Sequence, residues 1–327
     1  MSGLHGGPDA LGVPRWDFST NANACGPCPV VREAVRSADP GHYPDPAYGA
    51  LRKALASHHG VEPARIVLAG SASEFISRMS AAVAHNGGRR VWWPAVAYGD
   101  YGRAAQAWGL LQVSVPEQAD VLWLCEPTSP VGGPEAQAKA VASVAEGAVV
   151  VLDRAYEPLR LSGVGTLDAD AQGKVWQLWS PNKALALTGV RGAYAIAPLH
   201  RARLATQLNA MAPSWPLGAH AVAMLAAWVQ PAVQAWLAAS RLTLAEWKAQ
   251  QMAGLIEQGW HCLASETNYF CACPPELLDA RALRAQGIKL RETTSLGLAG
   301  HWRLSVQAPL AQEALLAALA LQQEGSV

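Results

Sequence analysis

The run Ala148-Val149-Val150-Val151-Leu152, continued by Asp153-Arg154-Ala155-Tyr156, sets the fold class. Consecutive apolar residues without alternation need cover on both faces, as a strand inside a parallel sheet has. The carboxylate of Asp153 then stands at a strand end where desolvation is costly unless a cation meets it. Upstream, Arg65 to Ala69, Arg90 to Trp93, Leu110 to Val115 and Val121 to Cys125 read as further strands, and downstream so do Val175 to Trp179 and Ala193 to Ala197. Helical patterns lie between them at Ala47 to His59, Glu74 to His85 and Pro134 to Glu146. Strands alternating with helices predict an α/β fold with a mostly parallel sheet covered on both faces. After Leu204 the texture changes to long helices (217–229 and 232–259), two strands (269–272 and 301–306) and a last helix at 310–322.

Size and charge narrow the function classes. A chain of 327 residues is about twice the usual ~150-residue domain, so two domains are expected. Lys+Arg and Asp+Glu are 25 each, so the chain lacks the basic excess on which phosphate-driven nucleic-acid binding depends. The start has neither a charged nor an apolar signal region, and the apolar stretch 217–229 is too short for the ~30 Å of a bilayer core. No membrane partner is expected, and the six cysteines read as reduced thiols of a cytoplasmic protein. Cys25-Gly-Pro-Cys28 has the spacing of a redox dithiol but lacks a preceding β-α-β unit, and a zinc site would need Cys271 and Cys273 brought beside it. A loop that carries two thiols is the plainer reading, and no metal is expected.

Ligands of open α/β sheets bind beyond the carboxyl ends of the strands. Ser71-Ala72-Ser73 follows one strand and opens a helix, an arrangement suited to an anion. Asp153 and Tyr156 follow the apolar strand. Ser180-Pro-Asn-Lys183 follows another, ahead of an apolar run that ends at Arg191. A lysine walled by alanine and leucine can have a lowered proton affinity and serve as a Schiff-base nucleophile. Tyr98 and Tyr101 could face a flat ring. A phosphate nest, a strand-end carboxylate, an aromatic plate and a buried lysine are together what pyridoxal 5′-phosphate (PLP) requires.

With these residues in place, the chain resembles fold-type I PLP enzymes of the histidinol-phosphate aminotransferase branch. The resemblance rests on Tyr43-Pro-Asp-Pro…Leu51-Arg52, Pro94…Tyr98-Gly-Asp-Tyr101, Val150-Val-Leu-Asp153-Arg-Ala-Tyr156, Asn182-Lys183-Ala-Leu-Ala-Leu-Thr-Gly189-Val-Arg191 and Trp302-Arg303-Leu-Ser-Val. It implies a mostly parallel seven-stranded sheet in a large domain at 41–215, a smaller α+β domain at 216–327, and an N-terminal segment at 1–40 packed on the active site. It implies Lys183 as the Schiff-base lysine, Asp153 at the pyridine nitrogen, Tyr98 on the ring and Tyr156 at the phenolic oxygen. Arg191, Ser180 and the Ser71–Ser73 turn would hold the phosphate. Tyr43 would cross a homodimer interface to the partner's cofactor, and Arg303 would take the substrate carboxylate.

His5-Gly6-Gly7 and Asp17-Phe18-Ser19-Thr20-Asn21-Ala-Asn23…Gly26-Pro27 are similar to the opening of cobalamin-pathway threonine-phosphate decarboxylases. The similarity implies a small substrate that carries phosphate and carboxylate, met by His5, Gly6, Asn21, Arg291 and Arg303. It implies decarboxylation of O-phospho-L-threonine. Aminotransfer on histidinol phosphate or another amino acid is the alternative, and a non-catalytic module of this fold a third reading. One departure stands out. Where the family carries an asparagine that donates to the phenolic oxygen, this chain has Ser129, a shorter donor.

Overall fold

The computed structural model describes residues 6–142, 144 and 147–324, so His5 lies outside the described residues. Its centre is a seven-stranded sheet in the order Ile66–Ala69, Ala193–Ile196, Trp176–Trp179, Val149–Asp153, Val121–Cys125, Arg90–Trp92, Leu111–Gln112. Only Ala193–Ile196 runs against its neighbours, pairing antiparallel with both Ile66–Ala69 and Trp176–Trp179. Every residue of Val121–Cys125 and of Val149–Asp153 is buried, as unbroken apolar runs inside a covered sheet require. The two strands pair in register from Val121↔Val149 to Cys125↔Asp153, which sets a thiol beside the strand-end carboxylate.

The strand expected over Leu110 to Val115 shrinks to Leu111–Gln112. It forms the sheet edge and both residues are exposed, so its apolar character has no second neighbour to pair with. The helix expected from Pro134 to Glu146 is described only at Ala138–Ala142, and residues 143, 145 and 146 lie outside the described residues. Helix boundaries follow local chemistry. Ser71 caps Ala72–His85 by accepting from the Glu74 amide, and Gly60, with φ +63°, ends Gly49–His59 in the left-handed turn that favours glycine.

A four-stranded antiparallel sheet follows in the order Arg291–Glu292, Trp302–Ser305, Tyr269–Cys273, His261–Cys262. The 27-residue helix Pro231–Glu257 leads into it. No single described helix is long and apolar enough to cross a membrane, and Ala219–Trp228 packs against Pro29–Arg36 and Gly49–His59.

The N-terminal segment is stitched to both halves of the site. Trp16–Asp17 pairs in parallel with Ile288–Lys289, and the Ser305 amide donates to Phe18 O at 2.8 Å. Phe18 is fully buried. The Asn23 amide donates to Lys183 O and the Cys28 amide to Leu185 O, so the same segment braces the lysine loop from behind. Cys25 and Cys28 are both free thiols.

Candidate active site

A cavity of about 440 Å³ opens at the carboxyl ends of the parallel strands. Sheet order alone brings its residues together. Asp153 ends one central strand, Cys125 the next, and Ser180 directly follows a third. Lys183 stands three residues further on, with Nζ 5.3 Å from the centroid of the Tyr156 ring. Tyr156 is buried and packs edge-on against Tyr269 at 4.7 Å. Ser180 Oγ donates to Asn182 Oδ1, which fixes the turn that carries the lysine.

Asp153 is 3% exposed. Its Oδ1 accepts from the Ala155 amide and its Oδ2 from the Tyr101 hydroxyl, each at 3.0 Å. Burial pushes its carboxyl up from the ordinary range, while the Ala155 N–H, the Lys183 charge and the Tyr101 hydroxyl oppose that push. Tyr98 lines the cavity with its hydroxyl shared between Asp100 Oδ2 at 2.8 Å and Ser73 Oγ at 3.3 Å. Desolvation holds its phenol protonated, and the nearby Asp100 charge adds to that.

Most of the expected residues meet in this one space. Gly6, Asn21, Ala72, Ser73, Tyr98, Ser129, Asp153, Tyr156, Ser180, Lys183, Arg191 and Arg303 all line it. Four do not. Ser71 spends its hydroxyl on the Glu74 amide as a helix cap. Tyr101 faces away from the cavity, stacked on Trp123 at 5.2 Å with its hydroxyl on Asp153, so it is no plate for a ring. Tyr43 is exposed and stacks on Trp215 at 4.2 Å, outside the cavity of its own chain. Arg291 lies one strand behind Arg303, donating to Glu292 O and Ser295 Oγ.

Several lining residues have no role assigned from the sequence: Ser19, Thr20, Asp100 and Thr188 stand inside quoted motifs without one, and Arg103 and Cys125 lie outside the site candidates. Ser19 and Thr20 adjoin Asn21 in one turn organised by Asp17, whose Oδ1 accepts from both of their amides. Asp100 and Arg103 form an i,i+3 ion pair at 2.9 Å in Gly99–Ala107, a helix that the sequence pattern did not reveal.

Buried polar side chains with unpaired atoms line the cavity. Asn21 is 2% exposed, yet among the described residues neither its amide nitrogen nor its amide oxygen has a partner. Arg303 is 8% exposed and donates to Ser19 O at 3.0 Å, and its Nε has no partner among the described residues. Buried polar groups are nearly always satisfied, so unpaired atoms beside a cavity are unusual. The buried Asp153 suits a pyridinium partner, and Lys183 supplies an amine in the same space, so the residues present fit PLP.

The fold and site are those of a PLP-dependent enzyme of fold type I. The family model for aminotransferase class I and II matches residues 15–320, and the chain belongs to that family. Histidinol-phosphate aminotransferase 2 of Caulobacter vibrioides is 31% identical over 92% of this chain and 85% of its own length. Among solved structures, histidinol-phosphate aminotransferase from Sinorhizobium meliloti in complex with pyridoxal-5′-phosphate superposes with a TM-score of 0.75 at 23% identity, covering 91% of this chain and 88% of that one. L-threonine-O-3-phosphate decarboxylase from Porphyromonas gingivalis superposes with a TM-score of 0.78 at 19% identity, covering 94% and 99%.

Proposed function

We propose that this enzyme decarboxylates O-phospho-L-threonine to (R)-1-aminopropan-2-yl phosphate in cobalamin biosynthesis. The observation that carries the reading is a pair of buried guanidiniums. Arg291 and Arg303 are opposite residues of neighbouring antiparallel strands, and among the described residues neither forms an ion pair with a carboxylate. Burial and the neighbouring Arg303 charge both lower the proton affinity of Arg291. Two buried like charges side by side favour an anionic substrate, and guanidinium matches carboxylate and phosphate oxygens bidentately. Gly6, Ser19, Thr20 and Asn21 add the second support, because the segment similar to the decarboxylases forms one wall of this cavity.

On this reading Ala72, Ser73, Ser180 and Arg191 hold the PLP phosphate, and the partner subunit of a homodimer adds its copy of Tyr43. Tyr98 would face the ring, Asp153 would meet the pyridine nitrogen, and Tyr156 and Ser129 would meet the phenolic oxygen. Bound there, PLP supplies an electron sink for the bond broken at the substrate's α-carbon. Lys183 Nζ holds the cofactor and afterwards delivers a proton to that carbon. Asp153 Oδ keeps a proton on the ring nitrogen. Arg303 would orient the carboxylate and Asn21, on the N-terminal wall, the rest of the substrate, while Arg291 would add its charge from behind Arg303; the same resemblance makes His5 a substrate-binding candidate. That wall keeps water from the reacting carbon. The division into 41–215 and 216–327 sets the two arginines on the smaller part and Lys183 on the larger.

Aminotransfer on histidinol phosphate is the second reading, favoured by the Caulobacter vibrioides relative. The test is turnover of O-phospho-L-threonine by the PLP-loaded protein, with CO2 and 2-oxo acid assayed together. CO2 release without a 2-oxo acid establishes the decarboxylase. A 2-oxo acid whose appearance depends on an amino acceptor, or turnover only with histidinol phosphate and 2-oxoglutarate, establishes the aminotransferase.

A further inference from the structure

The carboxylate of Asp153 is held at both oxygens, and the two holders differ in kind. Oδ1 accepts from the Ala155 amide, which follows it in the chain. Oδ2 accepts from Tyr101, which comes from a different helix and does not line the cavity. Tyr101 is fully buried, stacked on Trp123 with 8° between the ring planes and edge-on to Tyr98 at 5.8 Å. Its ring is therefore held in place, and its hydroxyl donates to Asp153 Oδ2 with the Cys125 thiol also close by. A carboxylate oxygen carries two lone pairs, so Oδ2 can accept from Tyr101 and still face a donor in the cavity.

We propose that Tyr101 is a positioning residue that fixes Asp153 in one rotamer and favours its ionised form, so that the shared proton resides on the cofactor nitrogen. The inference rests on the assignment of Asp153 to that nitrogen. A buried carboxylate and a pyridine compete for one proton, and burial alone would leave it on the carboxylate. A phenol that donates to the carboxylate works against that outcome. The other charged or titratable groups around Asp153 pull in different directions. Lys183 also favours the ionised form, whereas Asp100 opposes it. The Cys125 thiol, opposite Asp153 in the sheet, is kept neutral by its burial. Tyr101 thus joins the Ala155 amide and Lys183 in favouring the ionised form, and it does so without entering the substrate's space.

Tyr101→Phe removes one oxygen and keeps the stacked ring. The readout is the 15N shift of ring-labelled PLP bound to the wild-type, Tyr101→Phe and Asp153→Asn proteins, with kcat and KM measured in parallel. The expected result is a ring nitrogen that is protonated in wild type, partly deprotonated in Tyr101→Phe and deprotonated in Asp153→Asn. A change in proton affinity of about one pKa unit corresponds to roughly tenfold, and a loss of that size is expected in kcat with KM unchanged. If Asp153→Asn moves the signal and Tyr101→Phe does not, the role of Tyr101 is overturned while the Asp153 assignment stands. If Asp153→Asn leaves the ring nitrogen protonated, both fall. A loss confined to thermal stability also overturns the proposal.

Discussion

Arg291 and Arg303 stand directly opposite one another across two antiparallel strands, both buried and neither matched by a carboxylate among the described residues. Arg303 is the one that reaches the cavity, anchored by Ser19 O and lying 5.7 Å from the Tyr269 ring. Arg303→Ala is expected to remove a charge-assisted bond worth roughly 3 kcal/mol, a drop of about 100-fold in kcat/KM. Arg303→Lys keeps the charge but loses the planar fork, so it should recover only part of the loss. Steady-state kinetics on the phosphorylated amino acid checks both. Equal activity in Arg303→Lys and wild type would reject bidentate recognition.

Lys183→Ala is expected to reduce turnover by on the order of 10⁴-fold, the upper end for a positioned proton-transfer group. Borohydride treatment of the wild-type holoenzyme should attach the cofactor irreversibly to the peptide that contains Lys183, as mass spectrometry would show, and the variant should give no adduct. The variant should also shift Asp153 towards its protonated form, because the Lys183 charge opposes the effect of burial there. Added methylamine should restore part of the activity. An active Lys183→Ala protein without added amine would remove the basis of the proposed chemistry.

How much of this was legible beforehand depends on whether a feature was local. The Val149–Asp153 strand and its terminal carboxylate follow from an unbroken apolar run, and the lysine turn follows from its place after the next strand. Arg303 is legible as a polar residue inside a buried strand. Tyr101 is not. Its motif suggests a ring-facing aromatic, and only the course of Gly99–Ala107 turns it under the cavity onto Asp153. Two-residue strands such as Trp16–Asp17 and Ile288–Lys289 carry no period of their own and exist through pairing with distant segments. The placement of Arg291 depends on one such short strand, Arg291–Glu292, and its packing behind Arg303 rather than in the cavity was therefore unreadable.

His59 gives the protein a pH dependence with a definite sign. Its ring contacts Tyr194 Oη at 2.7 Å, and burial, followed by the charges of His58 and Arg154, pushes its pKa down to about 3. Unfolded, the ring titrates near its ordinary value of 6.5. Between these values the unfolded chain binds the extra proton, so the contribution is complete above pH 6.5 and is lost as pH falls towards 3. The limiting slope for one group is about 1.4 kcal/mol per pH unit, and partial exposure reduces it to roughly 0.7. Urea unfolding of wild type and His59→Phe across pH 4 to 7 checks this. The stability difference between the two should narrow in favour of the variant as pH falls, and parallel curves would contradict it.

Gly297 and its neighbour Leu296 hold the arginine-bearing strands against the segment that leads to Tyr98. Gly297 has φ +87°, and a Cβ there would lie 2.3 Å from Ala95 O; Leu296 accepts through O from the Ala97 amide at 3.2 Å. The 95–97 backbone leads directly into Tyr98. Gly297→Ala therefore carries the left-handed penalty of roughly 1–2 kcal/mol and a backbone clash besides. Gly300 supplies the control, with φ +75° and nothing within 4 Å of its Cβ position. Gly300→Ala should lower stability by only the conformational part, roughly 1 kcal/mol, and leave cofactor affinity unchanged. Gly297→Ala should lower stability by about twice that or more, and weaken PLP binding several-fold through displacement of the Tyr98 loop. Thermal unfolding with PLP titration on both variants separates the two effects. Equal cofactor affinity in the two proteins would show that the contact with Ala95 supports the fold without positioning Tyr98.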